Sequence, residues 1–291
     1  MVSDKLLWFL LHHGHTSCGL AELRGFLAYL QRGHESLEGR WDNKQNPRCS
    51  TFLRPATVHI SYSHLRTFFR WTAAEGVVES SPMDRLPPPI ARPDQIQPFT
   101  QDQVEAILQA AKRSNHPRRD KAIILFLLDT GVRASELCAL KMSDVDLPGR
   151  SCRVLGKGNK YRSLSFSRET GKVLSQYLQR EDRQADDALF RTGRGAEAGG
   201  GLTRSGLFQL IQRLGKVGIQ ATRCSPQTFR HTCAVEFLRA GGGVFVLKAM
   251  LGHTSLAVTN RYCAVAQADI QSQHQKFSSV ERLRERGYST G

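Results

Sequence analysis

Nowhere in its 291 residues does the chain approach the roughly 18 uninterrupted apolar residues of a membrane-spanning helix. The short LLWFLL run near the N-terminus sits behind Asp4 and leads into HHGH, so a cytosolic protein is expected. Paired cysteines are also missing. The seven cysteines, at positions 18, 49, 138, 152, 224, 233 and 263, include no Cys-x-x-Cys spacing and fit a reducing compartment. His12, His13, His15 and Cys18 have ligand chemistry, but no second half of a zinc site follows them, and a polar helix end is expected there instead of a metal. Clustered carboxylates of the kind that hold paired magnesium ions are absent as well. Acidic residues are scarce overall, 26 against 41 lysines and arginines, which gives a net charge of +15 and a pI near 9.9. That imbalance favours a polyanionic partner over a membrane surface.

The basic excess is uneven. Residues 1 to 97 carry 11 basic and 9 acidic side chains, leaving 30 and 17 for residues 98 to 291. Between these regions runs LPPPIARPDQIQP, whose five prolines from Pro87 to Pro98 forbid a continuous helix and favour an extended connection. A domain boundary is expected there. The N-terminal region reads as helical, with Leu6, Leu7, Phe9, Leu10 and Leu11 in a first helix and Leu20, Leu23, Phe26, Leu27 and Leu30 at helical spacing in a second. A third helix, roughly Pro55 to Ala74, is two-faced. Its apolar side carries Val58, Tyr62, Leu65, Phe68, Phe69 and Trp71, while His59, Ser63, Arg66 and Arg70 recur at i, i+4, i+7 and i+11. That polar face suits a nucleic-acid groove and, equally, water.

In the second region Thr100 caps a helix with Asp102 and Glu105 in its first turn, and an apolar helix follows from Asp120 to Leu128. CRVL and RSLSF, separated by the turn GKGNK, read as a β-hairpin. Helices are predicted again at Thr170 to Gln179, Thr203 to Lys216, Pro226 to Arg239 with Ser225 as cap, and Val244 to Leu251. The glycine-rich RTGRGAEAGGG lacks the spacing and the lysine-serine end of a phosphate loop and is expected to be a mobile loop.

Dispersed through this basic region are Arg133 in TGVRASELCAL, Lys157 in GKGNK, Arg230-His231 in SPQTFRHT, His253 in LGHTS and Tyr262 nine residues later. Breaking a phosphodiester without a metal needs a nucleophile, donors for the non-bridging oxygens and an acid for the leaving oxygen. These residue types supply all three. Taken singly each has a plainer reading: Arg133 with Glu136 is a common i, i+3 ion pair, and Tyr262 is an ordinary amphipathic-helix tyrosine.

In order and spacing, TGVRASEL, GKGNK, Arg230-His231, LGHTS and TNRYCAV resemble the motifs of the tyrosine recombinases, phage integrases and Xer recombinases among them. The match covers roughly residues 98 to 275, and the N-terminal region looks like that family's core-binding domain. The fold class implied is mainly α. An all-helical DNA-binding domain at residues 1–86 and a proline-rich linker at 87–98 would precede an α+β catalytic domain at 99–291 with a small antiparallel sheet. The domains would form a clamp around DNA, with a C-terminal tail from about residue 266.

By this resemblance Tyr262 would be the nucleophile that joins the 3′ phosphate, Arg133 and Arg230 the bidentate clamp, Lys157 the acid for the 5′ oxygen, and His253 a donor to a phosphate oxygen. Glu136 and His231 would orient the arginines. Lys160 and Arg162 in the hairpin, with His59, Ser63, Arg66 and Arg70, would contact DNA. One position departs: the family most often has histidine where Gln227 stands, and glutamine donates a hydrogen bond but cannot take the tyrosine proton. The activity implied is site-specific DNA recombination without cofactor or metal, in a bacterial cytoplasmic protein bound to the nucleoid. The implied partners are double-stranded DNA with inverted-repeat core sites and a homo-tetramer joined by tail exchange, with no membrane. No arm-binding segment precedes the helical region, which implies a simple two-domain recombinase. A type IB topoisomerase or a non-catalytic DNA-binding regulator on the same fold is the alternative.

Overall fold

The computed structural model describes residues 1–32, 41, 52–90, 96–156, 158–179, 183–193, 200–219, 224–266, 274, 278 and 280. The chain divides into two compact units, Met1–Gln95 and Ile96–Gly291.

The first unit contains α1 (Val2–His12), α2 (Leu20–Arg32) and α3 (Pro55–Ala74), closed by a short 3-10 turn at Pro82–Arg85. Leu23, Phe26, Leu27 and Leu30 lie on one stripe of α2 and are buried against Leu6 and Phe9 of α1 and Val58, Tyr62, Leu65 and Phe69 of α3. Pro55 opens α3 at its first position, where its missing N–H costs nothing. Tyr62 is buried, and its hydroxyl donates to the Leu86 carbonyl (2.6 Å). The predicted apolar side of α3 is too wide. Phe68 and Trp71 are 44% and 57% exposed, because the core occupies only the Val58, Tyr62, Leu65, Phe69 stripe. Leu7 and Leu11 of α1 likewise face outward.

The second unit runs α4 (Gln101–Lys112), α5 (Pro117–Thr130), α6 (Ala134–Ala139), β1 (Val145–Asp146), β2 (Ser151–Leu155), β3 (Tyr161–Ser165), α7 (Arg168–Leu178), α8 (Arg204–Gly218), α9 (Pro226–Arg239), α10 (Val244–Leu251) and α11 (Leu256–Ala266). The strands form an antiparallel sheet in the order β1-β2-β3, with Val154 opposite Arg162 and Leu155 opposite Tyr161. The architecture is therefore mainly helical with one small antiparallel sheet. β1, only two residues long, is below the length at which alternation is readable in sequence. The β2–β3 turn uses Gly158 and Asn159 at positive φ, which these two residue types tolerate best.

Side-chain caps set the helix starts. Thr100, Ser167, Thr203 and Ser225 each accept from a backbone N–H in the first turn of α4, α7, α8 and α9. α9 is central: it packs on α5, α8, α10 and α11, and buries Phe229, Arg230, Cys233, Ala234 and Val235. A smaller cluster of Ala234, Val235, Leu238, Leu247, Leu251 and Tyr262 locks α10 and α11 onto it. At the glycine-rich segment Arg191 bridges Gly201, while residues 194–199, where the mobile loop is expected, lie outside the described residues. So does most of the tail beyond Ala266. Among the described residues no helix is long and apolar enough to cross a membrane.

Candidate active site

Two helix ends build the floor of the site. α5 stops at Gly131, in the left-handed region at φ 58°, where an added Cβ would come within 2.8 Å of Leu251 Cδ2 and 3.1 Å of Cys233 Sγ. α10 stops the same way at Gly252, φ 64°, where a Cβ would press on the Arg162 guanidinium. A terminal helical turn leaves carbonyls with no partner in the helix. Arginines take them here. Arg230 Nη1 donates to the Gly131 carbonyl and Nη2 to that of Leu251, both at 2.7 Å, and Arg133 Nη2 donates to Gly252 (2.9 Å).

Carbonyls at a helix C-terminus carry partial negative charge, which steadies a cation without neutralising it. Arg230 is only 3% exposed, and among the described residues no carboxylate bonds to it. Burial, and then the neighbouring Arg133, lower its pKa to about 10, so it stays charged at neutral pH. A buried cation with no counter-ion is a strong electrostatic demand for an anion.

Arg133 is held from the other side. Glu136 reaches back one turn to accept from the Arg133 backbone N–H (2.9 Å) and from its Nη1 (2.8 Å). The same carboxylate accepts from Arg162 Nη1 and Nη2, both at 2.8 Å, in a bidentate pair. Arg162 Nε in turn donates to the Met250 carbonyl (2.9 Å). One guanidinium thus ties β3 to α6 and to the end of α10. Arg162 is expected from sequence to contact DNA; its side chain is 14% exposed, and Nε, Nη1 and Nη2 each donate inside the protein.

Burial raises the pKa of Glu136, but the hydrogen bonds from Arg162 and Arg133 outweigh it and hold the carboxyl at about 2, against 4.5 unperturbed. The ionised form therefore stabilises the fold fully above pH 4.5, and this contribution is lost as pH falls through 2. It amounts to about 3 kcal/mol. Denaturant unfolding of the wild type and Glu136→Gln at pH 6 and pH 3 should show a clear deficit for the variant at pH 6 that narrows at pH 3. A gap that does not change with pH would contradict this account.

His253 follows Gly252 directly. Its Nε2 accepts from Arg230 Nη2 (3.0 Å), and its Nδ1 lies 3.0 Å from the buried Thr259 hydroxyl. With Nε2 accepting, the neutral ring carries its proton on Nδ1 and donates to Thr259. Burial, and then Arg230 and Arg133, lower its pKa to about 4. Its ring stacks parallel to that of Tyr262 with centroids 6.1 Å apart.

Tyr262 is 3% exposed, its ring set in the apolar cluster under α10. Burial raises its pKa, which Arg230 and Arg261 pull part of the way back. Its hydroxyl lies 3.0 Å from Nδ1 of His231. His231, expected from sequence to steady an arginine, sits on the tyrosine instead. Gln227, one turn earlier on α9, lies 3.5 Å from the other ring nitrogen.

Arg133, Gln227, Arg230, His231, His253 and Tyr262 line one open cavity of about 300 Å³, with Ile96, Thr254 and Arg261 at its edges. Five of the dispersed sequence candidates are thereby gathered in one place, with His231 among them. Lys157 lies outside the described residues. Lys160 is exposed at the foot of the same hairpin turn. In the first unit Arg66 and Ser63 are exposed, Arg70 Nε faces Asp84 at 3.5 Å, and His59 Nδ1 is 3.0 Å from the Pro89 carbonyl. Sequence reading missed the staple formed by Arg162, the anchoring of His253 by Thr259 and the helix-end carbonyls. Only the two glycines that end α5 and α10 give any local sign of them.

Residues 97–269 match the family model described as the phage integrase family. Tyrosine recombinase XerC of Roseiflexus castenholzii is 32% identical over 216 residues, covering 71% of this chain and 67% of that protein. Tyrosine recombinase XerC of Leptospira interrogans is 30% identical over 260 residues, covering 88% and 77%. Among solved structures, the Tn1549 transposon integrase in complex with transposon right end DNA superposes with a TM-score of 0.68 at 18% identity, covering 96% of this chain and 93% of that one. The XerH recombinase in its post-cleavage complex with palindromic difH substrate gives 0.62 at 18% identity, covering 91% and 73%. At such identities the structural likeness speaks for the fold.

Proposed function

This chain belongs to the phage integrase family of tyrosine recombinases, and on that premise we propose that it cleaves and rejoins DNA strands at defined sites through a 3′-phosphotyrosine intermediate. It is a site-specific DNA recombinase. The observation that carries the chemistry is the pairing, in one cavity, of a buried Arg230 that among the described residues bonds no carboxylate with the hydroxyl of Tyr262.

A phosphodiester seated there would place its non-bridging oxygens against the guanidiniums of Arg133 and Arg230, whose planar forks match two oxygens as an ammonium does not. Tyr262 Oη attacks phosphorus in line with the departing 5′ oxygen, which takes a proton from Lys157. Bond energy is kept in the phosphotyrosine, so reversal with a different 5′ hydroxyl seals the new joint without a high-energy cofactor. His253 donates to the phosphate once the Arg230 N–H that it accepts in the free enzyme turns to that phosphate. The Thr259 hydroxyl, a donor as readily as an acceptor, then supports the tautomer with the proton on Nε2. Glu136 and Arg162 hold Arg133 in place.

Residues 1–86, within the first unit, serve as the core-binding domain, with exposed Arg66 and Ser63 on α3 supporting a contact with the duplex. The linker is 87–98 and the catalytic domain 99–291. A tetramer on two inverted-repeat sites, joined through the tail from about residue 266, completes the reading, because a two-fold protein arrangement matches a palindromic core.

Incubation with nicked DNA carrying candidate inverted repeats tests it. A denaturation-resistant adduct should form, and its peptide should contain Tyr262. No adduct on any DNA would sink the proposal, and relaxation of supercoils at many sequences without strand exchange would point to a topoisomerase instead. Gln227→His should retain cleavage, since the new ring keeps a donor facing the phosphate. Abolition of adduct formation in the same nicked-substrate assay would assign the glutamine a specific role.

A further inference from the structure

We propose that His231 is the catalytic base for this reaction, taking the hydroxyl proton of Tyr262 onto Nδ1 as the tyrosine attacks. The proposal rests on the recombinase reading above. It answers a question that the sequence leaves open, since the glutamine at 227 cannot accept that proton.

The geometry is direct. Nδ1 lies 3.0 Å from Tyr262 Oη, inside the range for proton transfer, and the two rings approach at 5.5 Å between centroids. α9 and α11 pack along their lengths, so both partners stand on helices and not on loops. For Nδ1 to accept, the proton of the neutral ring must reside on Nε2, where the Gln227 amide lies with its nitrogen at 3.5 Å, a distance from which a half-turn of the amide brings its oxygen inward. Turned with its carbonyl oxygen inward, the glutamine amide accepts from Nε2–H and selects that tautomer. A histidine-to-glutamine departure at 227 thus leaves a residue that orients the base one turn further along the helix.

The surroundings fit a ring that is neutral before the reaction. Arg261 from α11, Arg230 from α9 itself and, across the cavity, Arg133 are cationic, and among the described residues no carboxylate lines the cavity. α5 turns Asp129 to the Ser167 N–H, Lys248 of α10 does not line the cavity, and Arg204 of α8 borders an adjacent hollow that Gln227 shares. Burial, and then Arg261 and Arg230, lower the pKa of His231 to about 4 in the free protein. A phosphate between Arg133 and Arg230 offsets their charge and raises the proton affinity of the ring when substrate is present.

The step balances. The Oη–phosphorus bond forms as the Oη–H proton passes to Nδ1, and the phosphorus–O5′ bond breaks, its electron pair leaving on the 5′ oxygen that Lys157 protonates. In the rejoining step the imidazolium returns its proton to the tyrosine oxygen.

Single-turnover cleavage of a nicked substrate from pH 6 to pH 9.5 tests the assignment in wild type and His231→Asn. The asparagine keeps a polar atom near the Nδ1 position but has no basic nitrogen. Wild-type cleavage should change little across this range, because burial and the neighbouring arginines keep the imidazole neutral throughout it. His231→Asn should be slower by roughly 10²-fold at pH 7 and should gain close to tenfold per pH unit toward the tyrosine pKa. A merely structural role would lower the rate by one factor at every pH. Equal pH profiles in the two proteins, or a variant of wild-type rate, would overturn the assignment while the wild-type adduct left the recombinase reading standing. Absence of a wild-type adduct would overturn both. Should His231→Asn fail to show a cooperative melt, His231→Gln serves in its place with the same expected profile.

Discussion

Tyr262→Phe is expected to yield no denaturation-resistant adduct with any nicked substrate while still binding duplex DNA. The covalent bond needs the phenolic oxygen, and among the described residues no other hydroxyl shares the cavity with Arg133 and Arg230 except that of Thr254. Phenylalanine keeps the ring among Val235, Leu238, Leu247 and Leu251, so the packing that seats α11 survives. The polar loss includes the hydrogen bond to His231, about 1 kcal/mol. A melt within a few degrees of wild type, beside complete loss of adduct, separates chemistry from folding. DNA binding by the variant should fall steeply with salt, because the phosphate clamp and the basic surface are intact. An adduct persisting in Tyr262→Phe would move the nucleophile elsewhere.

Arg230→Lys should cost both catalysis and stability, and the two losses have separate causes. Arg230 spends Nη1 on Gly131, and Nη2 on Leu251 and His253, at the junction of α5, α9 and α10. A lysine ammonium is a single point donor and cannot span both helix-end carbonyls while facing a phosphate. One buried carbonyl left without a partner costs about 1–3 kcal/mol, visible as a lower melting temperature. In the reaction, loss of the bidentate contact removes stabilisation of the charge that develops on the non-bridging oxygens. A reduction of roughly 10²–10³-fold in single-turnover cleavage is expected. Cleavage within threefold of wild type would mean that Arg230 supports helix packing and does not touch the phosphate.

These two residues also show how far sequence carries. Ser225 and Pro226 mark the start of α9 in the sequence, and α9 begins there because the Ser225 hydroxyl accepts from the Thr228 N–H. The hairpin, the capped start of α4 and the bounds of α10 were equally legible, since each depends on residues a few positions apart. The apolar side of α3 was not. Which of its apolar residues are buried depends on where α1 and α2 lie, and Phe68 and Trp71 fall beyond their reach.

The site divides along the same line. Residue types in motif order, through their resemblance to a known family, were enough to expect the parts of a phosphoryl-transfer site on a strongly basic region. Only the tertiary structure decided which atoms meet. Arg230 bonds a carbonyl 99 residues away, Arg133 one 119 residues away, and Arg162 turns inward to Glu136 instead of outward. His231 faces the Tyr262 hydroxyl because α9 and α11 pack in one particular register. Helix caps and turns are set by short-range hydrogen bonds that sequence spacing exposes. Proton transfer and charge pairing act over about 3 Å between residues far apart in the chain, and packing alone fixes those distances.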